Sequence, residues 1–335
     1  MLPLRAYWYT RMFSIKEISE RIEKGLTITP FNKEPHGLYD PVAYMVSVGG
    51  KRLRPVLCLL SCNLFTNEID DNVLMPALGF ELFHAFTLAH DDIMDAAEIR
   101  RGQPTLHYKW NTNTAILSGD VMCIDAYSLI SQCSPTVLPA VFALFSKTAA
   151  QVCEGQQLDM DYEYCETISH KEYLQMITLK TAVLIACAAQ TGALCGGSTD
   201  QDAKYLYDFG FALGMGFQIR DDYLDAFGDF ATFGKNIGGD ILSNKKTWLL
   251  VDALQKAKGA DQKELYRLLN QRDAPEEKIA GVLRLYHQLE IPQAAEAEIN
   301  RFHVESSVAL DKVAIPNPRK EQLYRYAVSL LKREN

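Results

Sequence analysis

Two aspartate clusters with identical spacing, Asp91-Asp92-Ile93-Met94-Asp95 and Asp221-Asp222-Tyr223-Leu224-Asp225, each close an apolar run with helical character. On a helix, positions i and i+4 lie only about 40° apart. Asp91 and Asp95 therefore point the same way, with Asp92 to one side. Carboxylates a turn apart repel one another unless a cation lies between them. Magnesium suits such a place, because it takes one or two carboxylates and fills its shell with water and phosphate oxygens. One such cluster reads as a solvated helix end. Two copies, each followed by glycine and basic residues, point to metal-assisted chemistry on an anionic substrate.

The basic residues are grouped locally, as Lys51-Arg52-Leu53-Arg54, Arg100-Arg101 and Lys245-Lys246, in a chain whose net charge is −8. An acidic chain with short basic clusters is not built for nucleic acid. It suits a small anionic ligand. The eight cysteines contain no CxxC pair and fall in apolar helical contexts. They read as small hydrophobic residues in a reducing, cytoplasmic compartment rather than as a zinc site.

The elements that must position these groups read as helices throughout. Residues 13–24 are amphipathic, broken by Gly25 and Pro30. A buried helix covers 51–65, and the helix bearing the first cluster starts at Pro76, a good first-turn residue, and runs to Ala96. Further helices are expected at 114–132, 135–161, 169–194, 202–227 and in five segments after Thr247. Residues 228–246 hold four glycines and three lysines and read as a lid, too glycine-rich for a stable helix. The fold class is all-α, about a dozen helices around a central cavity. Residues 1–12 are expected to form a disordered extension and 13–335 a single catalytic domain. No uninterrupted apolar run approaches the ~18 residues of a membrane span.

Counting back from Asp91, Thr87 and His84 fall near its face, followed by Phe83 and Phe80 about 12 and 16 Å deeper at a 1.5 Å rise. That pattern describes a pocket with a charged mouth and an apolar shaft.

With these residues in order, the chain resembles the short-chain trans-polyprenyl diphosphate synthases of the farnesyl and geranylgeranyl type. The carrying motifs are GGKRLRP at 49–55, ELFHAFTLAHDDIMD at 81–95, RRGQPTLH at 100–107, GD at 119–120, GQQLD at 155–159, LKTA at 179–182, FQIRDDYLDAFGD at 217–229 and GKNIGGDILSNKKTW at 234–248. The resemblance implies head-to-tail condensation of isopentenyl diphosphate with an allylic diphosphate in a homodimer. It assigns two Mg²⁺ to Asp91 and Asp95 and a third to Asp221, with Asp92, Asp222 and Asp225 supporting. Arg100, Lys180, Lys235 and Lys245 would grip the allylic diphosphate. Lys51, Arg54, His84 and Arg101 would hold isopentenyl diphosphate without metal. Thr181 and Gln218 would stabilise the allylic cation with oxygen dipoles, Lys180 would count with them as catalytic through its hold on the diphosphate, and Gln156 and Asp159 would border the metal site. Phe80, Phe83, Phe86 and Thr87 would set product length, with C20 favoured and C15 next. Alternative readings are a class I terpene cyclase and a non-catalytic synthase subunit. A di-iron bundle would need a second E-x-x-H beside Glu81-x-x-His84, and none is found.

Overall fold

The computed structural model describes residues 12–29, 31, 33–228 and 238–331. They are almost wholly helical, and the one sheet among them is a two-residue antiparallel pair. The chain divides into two compact units, one of residues 12–147, 184–210 and 309–326, the other of the described residues in 148–183, 211–308 and 327–331.

In the first unit, α1 (Ile15–Ile28) opens with a capping box. The Ser14 hydroxyl accepts from the Glu17 amide at 3.3 Å while the Glu17 carboxylate accepts from the Ser14 amide at 2.9 Å. Gly25 does not end this helix. It stays helical because a Cβ there would stand 2.9 Å from a Leu78 methyl, so its missing side chain serves packing. Then come α2 (His36–Ser47), α3 (Leu53–Asn63) and α4 (Asp71–Met94). The start of α4 differs from the sequence expectation. Asp70 caps it, accepting from the Asn72 amide at 3.1 Å, and Pro76 lies inside. Helix α4 is buried on most sides, with Val73, Ala77, Leu78, Phe80, Leu82 and Phe83 in the core, as expected of an element surrounded by others.

A tight hairpin follows, β1 (Ile99–Arg100) paired with β2 (Gln103–Pro104), and then α5 (Leu106–Lys109), α6 (Thr112–Ile130) and α7 (Leu138–Glu163). In the second unit, α8 (His170–Ile177) begins with a second capping box, Ser169 with Glu172. It passes into a π-turn (Thr178–Ala182) and then α9 (Val183–Cys195). The remaining elements are α10 (Asp200–Phe227), α11 (Gly239–Ser243), α12 (Trp248–Lys256), α13 (Ala260–Leu269), α14 (Pro275–Gln288), α15 (Ile291–Asp311) and α16 (Asn317–Leu331); α11 to α14 belong to the second unit, α9 after Val183 to the first, and α7, α10, α15 and α16 are each divided between the two. Short α11 corrects the expectation of a helix-free lid, while residues 229–237, including Lys235, lie outside the described residues.

Two stretches, Asp71–Met94 and His170–Cys195, are long and apolar enough to cross a bilayer, but 61% and 72% of their apolar windows are buried inside the protein. They are core helices. This qualifies the reading of apolar runs, since the hydrophobic total matters as well as the uninterrupted length.

Candidate active site

The first aspartate cluster sits on the last turn of α4. Asp91 is partly accessible and Asp95 exposed, whereas Asp92 is buried. The Arg100 guanidinium reaches back from the hairpin, donating through Nε to Asp92 Oδ1 at 2.6 Å and through Nη2 to Asp91 Oδ2 at 3.3 Å. Burial pushes the Asp92 carboxyl up from its usual range, and the Arg100 charge opposes that. Asp92 thus ties the hairpin to the helix. Asp91 and Asp95 are the members of the cluster that remain accessible.

The next residue, Arg101, has φ +53, a left-handed conformation uncommon for a side-chain-bearing residue. It donates to the Gly49 carbonyl. Gly50 beside it has φ +149, a conformation that side-chain-bearing residues rarely adopt. Arg52, also left-handed, caps α3. It is neutralised by Glu23 at 2.9 Å and by Glu81 at 2.8 Å. Arg54 is different. Its Nε is buried with no hydrogen-bond partner. Burial, with Arg101 nearby, lowers its guanidinium to about 10, so it stays charged at neutral pH.

His84, on α4, is pushed well below its usual range by burial and then by Arg54, Arg101, Arg100 and Arg52. A neutral imidazole therefore stands among arginines, and the nearby buried carboxylate Glu81 is bonded to Arg52. Lys51 is exposed.

Below His84 on α4 lies an aromatic cluster. Phe83 meets Phe86 at 5.3 Å and Phe145 at 5.1 Å between ring centroids; Phe80 meets Phe145 at 5.6 Å, and Tyr127 meets Phe145 at 4.8 Å. Phe80 and Phe83 are fully buried, while Phe86 and Thr87 keep partial exposure. Thr87 Oγ1 donates back to the His84 carbonyl at 2.8 Å. Sequence reasoning missed Phe145 and Tyr127. They lie on α7 and α6, and the helical period of α4 carries no information about its neighbours.

In the second unit, Asp222 is the buried member of its cluster, and Asp221 and Asp225 are partly accessible. Asp222 Oδ2 accepts from the Tyr173 hydroxyl at 2.6 Å and from the Trp248 amide at 2.9 Å. Its Oδ1 accepts from Gln218 Nε2 at 3.0 Å, and Gln218 Oε1 accepts from the Thr181 hydroxyl at 2.9 Å. Burial, with Asp240 adding, raises Asp222 to about 7, against the pull of these hydrogen bonds. Asp225 accepts the Asp240 amide at 3.0 Å and so anchors the start of α11. A small recess there is lined by Asp222, Asp225, Asp240 and Lys245 among others.

Thr181 and Lys180 stand on the π-turn, which sequence periodicity did not reveal. Gly155 makes room for it. A Cβ at 155 would lie 2.2 Å from the Lys180 backbone nitrogen. One turn later on α7, Asp159 pairs with the Lys180 ammonium at 2.5 Å. Gln156 is half-buried on the same turn. The GQQLD and LKTA motifs are therefore one structural feature seen from two helices.

Among the described residues, no group of three or more His, Cys, Asp or Glu is gathered tightly enough to hold a metal. Partly accessible carboxylates with an incomplete ligand set fit magnesium, whose remaining positions are taken by water and phosphate.

A profile of the family described as polyprenyl synthetase matches residues 35–286. The chain belongs to that family. A short chain isoprenyl diphosphate synthase of Methanothermobacter thermautotrophicus is 34% identical to this family member over 310 residues, 92% of this chain and 91% of the relative. A geranylgeranyl diphosphate synthase of Methanosarcina mazei is 39% identical over 250 residues, 74% of this chain and 76% of the relative. The crystal structure of a geranylgeranyl pyrophosphate synthase matches with a TM-score of 0.91 at 39% identity, covering 97% of this chain and 100% of that one. This polyprenyl synthetase is a prenyltransferase with the all-α fold expected from its sequence. Membership sets aside the terpene cyclase and di-iron readings.

Proposed function

We propose that this prenyltransferase condenses isopentenyl diphosphate head-to-tail with an allylic diphosphate and stops at a short trans product, C20 ahead of C15. The observation that carries the reading is the contrast between two kinds of anion environment. Arg54, Arg101, His84 and Lys51 offer positive charge and a neutral imidazole, and the nearby carboxylate, Glu81, is bonded to Arg52. That suits a diphosphate that must stay attached. Asp91, Asp95 and Asp221 offer carboxylates, which suit a diphosphate that must leave. Magnesium, held by Asp91, Asp95 and Asp221 in three-ion stoichiometry, would supply the positive charge that stabilises the leaving group. Asp92, Asp222 and Asp225 hold their neighbours in place, and Gln156 and Asp159 border this region.

Arg100, Lys180, Lys235 and Lys245 bind the allylic diphosphate. The Arg100 guanidinium, whose planar fork suits phosphate, would reach the allylic diphosphate from beside Asp91, the carboxylate that would hold the metal. Thr181 and Gln218 turn oxygen dipoles toward the allylic cation. The isopentenyl double bond attacks that cation, and the departing diphosphate takes the proton whose loss restores a double bond. Phe83 and Phe80, backed by Phe145, stop the growing tail, while Thr87 is small enough to let it pass the first turn.

The exposed apolar residues Ile116, Leu117 and Ile124 on α6 and Phe142 on α7, between 41% and 66% exposed, support a homodimer through this face. Exposed free thiols at Cys153 and Cys165 fit the cytoplasm. Both compact units would work as one catalytic domain. The test is incubation of the purified chain alone with Mg²⁺, isopentenyl diphosphate and a C5, C10 or C15 primer, with products sized by mass spectrometry. Products of C15–C20 are expected. Chains of C30 or longer would overturn the length assignment, and no product at all would favour a non-catalytic subunit.

A further inference from the structure

The hydrogen bonds around Asp222 run in one direction. Two donors, the Tyr173 hydroxyl and the Trp248 amide, converge on Oδ2. The carboxylate is an acceptor on its other oxygen as well, so Gln218 must present its NH₂ to Oδ1. That fixes the opposite end of the Gln218 amide, and its oxygen faces Thr181. The Thr181 hydroxyl has a single proton, and it is spent on Gln218. What Thr181 has left to offer is lone pairs. Asp222 and Tyr173 are buried and Thr181 is 8% exposed, so solvent meets this chain at Gln218, which is partly accessible.

We infer that the Asp222 carboxylate, through Gln218, sets the polarity of Thr181, so that oxygen lone pairs rather than a hydroxyl proton face the allylic cation. Asp222 is then a positioning residue that acts through Gln218 and Thr181, while Tyr173 holds the carboxylate without setting the direction of the chain. The inference rests on the prenyl-transfer reading. Preorganised dipoles of the right sign stabilise developing charge in a dry site, and dipoles of the wrong sign oppose it. The carboxylate decides the sign. An asparagine in its place would give its oxygen to Tyr173 and Trp248 and its NH₂ to Gln218. Gln218 would then turn over, and Thr181 would become an acceptor with its proton pointing outward.

The experiment is a double-mutant cycle of Asp222→Asn and Thr181→Val, with Tyr173→Phe as the comparison, in the full-length chain. Asp222→Asn should lower kcat about 10–100-fold, leave the KM for isopentenyl diphosphate within twofold, and leave the Mg²⁺ concentration for half-maximal rate unchanged. Thr181→Val should give a similar loss, and the double variant should be little worse than either single one. Thr181→Ser keeps the hydroxyl and should restore most of the rate. Tyr173→Phe removes a buried hydrogen bond without reversing the chain, so it should lower the melting temperature but change kcat less than about threefold. Multiplying losses in the double variant, a shifted Mg²⁺ requirement in Asp222→Asn, or an equal kcat loss in Tyr173→Phe would each overturn the inference. If Asp222→Asn does not fold, Tyr173→Phe and the Thr181→Ser and Thr181→Val pair decide alone, and equal rates for Ser and Val would overturn it. A wild-type chain that forms no prenyl product would instead sink the underlying reading.

Discussion

Asp91–Asp95 and Asp221–Asp225 share one spelling, yet their buried middle carboxylates are satisfied by opposite means. Asp92 is met by a full positive charge, Arg100, from a strained hairpin. Asp222 is met by three neutral donors, a phenol, an amide side chain and a backbone N–H. A charged partner fixes where a loop sits. Neutral partners also fix which way each of their dipoles points. The same motif thus anchors a cationic hairpin in one unit and an ordered hydrogen-bond chain in the other.

The accessible members should show the largest effects and the least difference between copies. Asp91→Ala and Asp221→Ala should each lower kcat by about 10³-fold or more, roughly 4 kcal/mol of transition-state stabilisation. Steady-state kinetics checks this, and the double variant should lose less than the product of the two if both serve one diphosphate. The buried members should separate the copies. Arg100→Met strands a buried carboxylate and should cost about 3 kcal/mol in urea unfolding, whereas Tyr173→Phe, leaving two donors on Asp222, should cost about 1 kcal/mol. Equal costs would break the distinction between charged and neutral anchoring.

The helices beneath the two clusters should differ in what they control. Phe83 and Leu213 stand eight residues before Asp91 and Asp221, and both are buried. Phe83→Ala should lengthen the product by at least one C5 unit, read by mass spectrometry, while Leu213→Ala should alter only stability.

The smallest effect is a pair of opposed pH slopes. His84 stays neutral in the folded chain while the unfolded chain takes up a proton below about 6.5, so stability is lost as pH falls through that value. Asp222, raised to about 7, keeps its proton in the folded chain after the unfolded chain has ionised, so its contribution is lost as pH rises from about 4 toward 7, above which it is the all-acceptor carboxylate that orders Gln218 and Thr181. In EDTA, each slope is at most about 1.4 kcal/mol per pH unit. Melting curves of His84→Gln should lack the acid loss, and those of Asp222→Asn the loss on the rising side.

Motif order made the family and the residue types of both clusters legible, because metal and phosphate chemistry dictates residue identity at fixed spacing. Burial within each cluster was less legible. Asp91, Asp92 and Asp95 look alike in sequence, and only packing makes Asp92 the hidden one. The cap at Asp70 was visible as an Asp before an apolar run, but Pro76 drew the helix start inward. Arg54 and His84 could be named from motifs, but not the neutralisation of Arg52 by Glu23 and Glu81, which depends on contacts 29 residues away. Phe145 and Tyr127 carried no chemical signature at all, being ordinary aromatic residues until α6, α7 and α4 are assembled.

The π-turn at Thr178–Ala182 has a genetic consequence. A π-turn is an α-helix carrying one residue too many. Deleting any single codon within 178–182 would let α8 and α9 fuse into one regular helix, removing the bulge that Gly155 accommodates. The helix would gain regularity, and side chains on one side of the deletion would rotate by about 100° relative to those on the other. Lys180 and Thr181 could not both keep their present partners. The placement of Lys180 and Thr181 is therefore carried by an insertion of a single residue, and a frame-preserving loss of three nucleotides would yield a regular helix with those side chains pointing elsewhere.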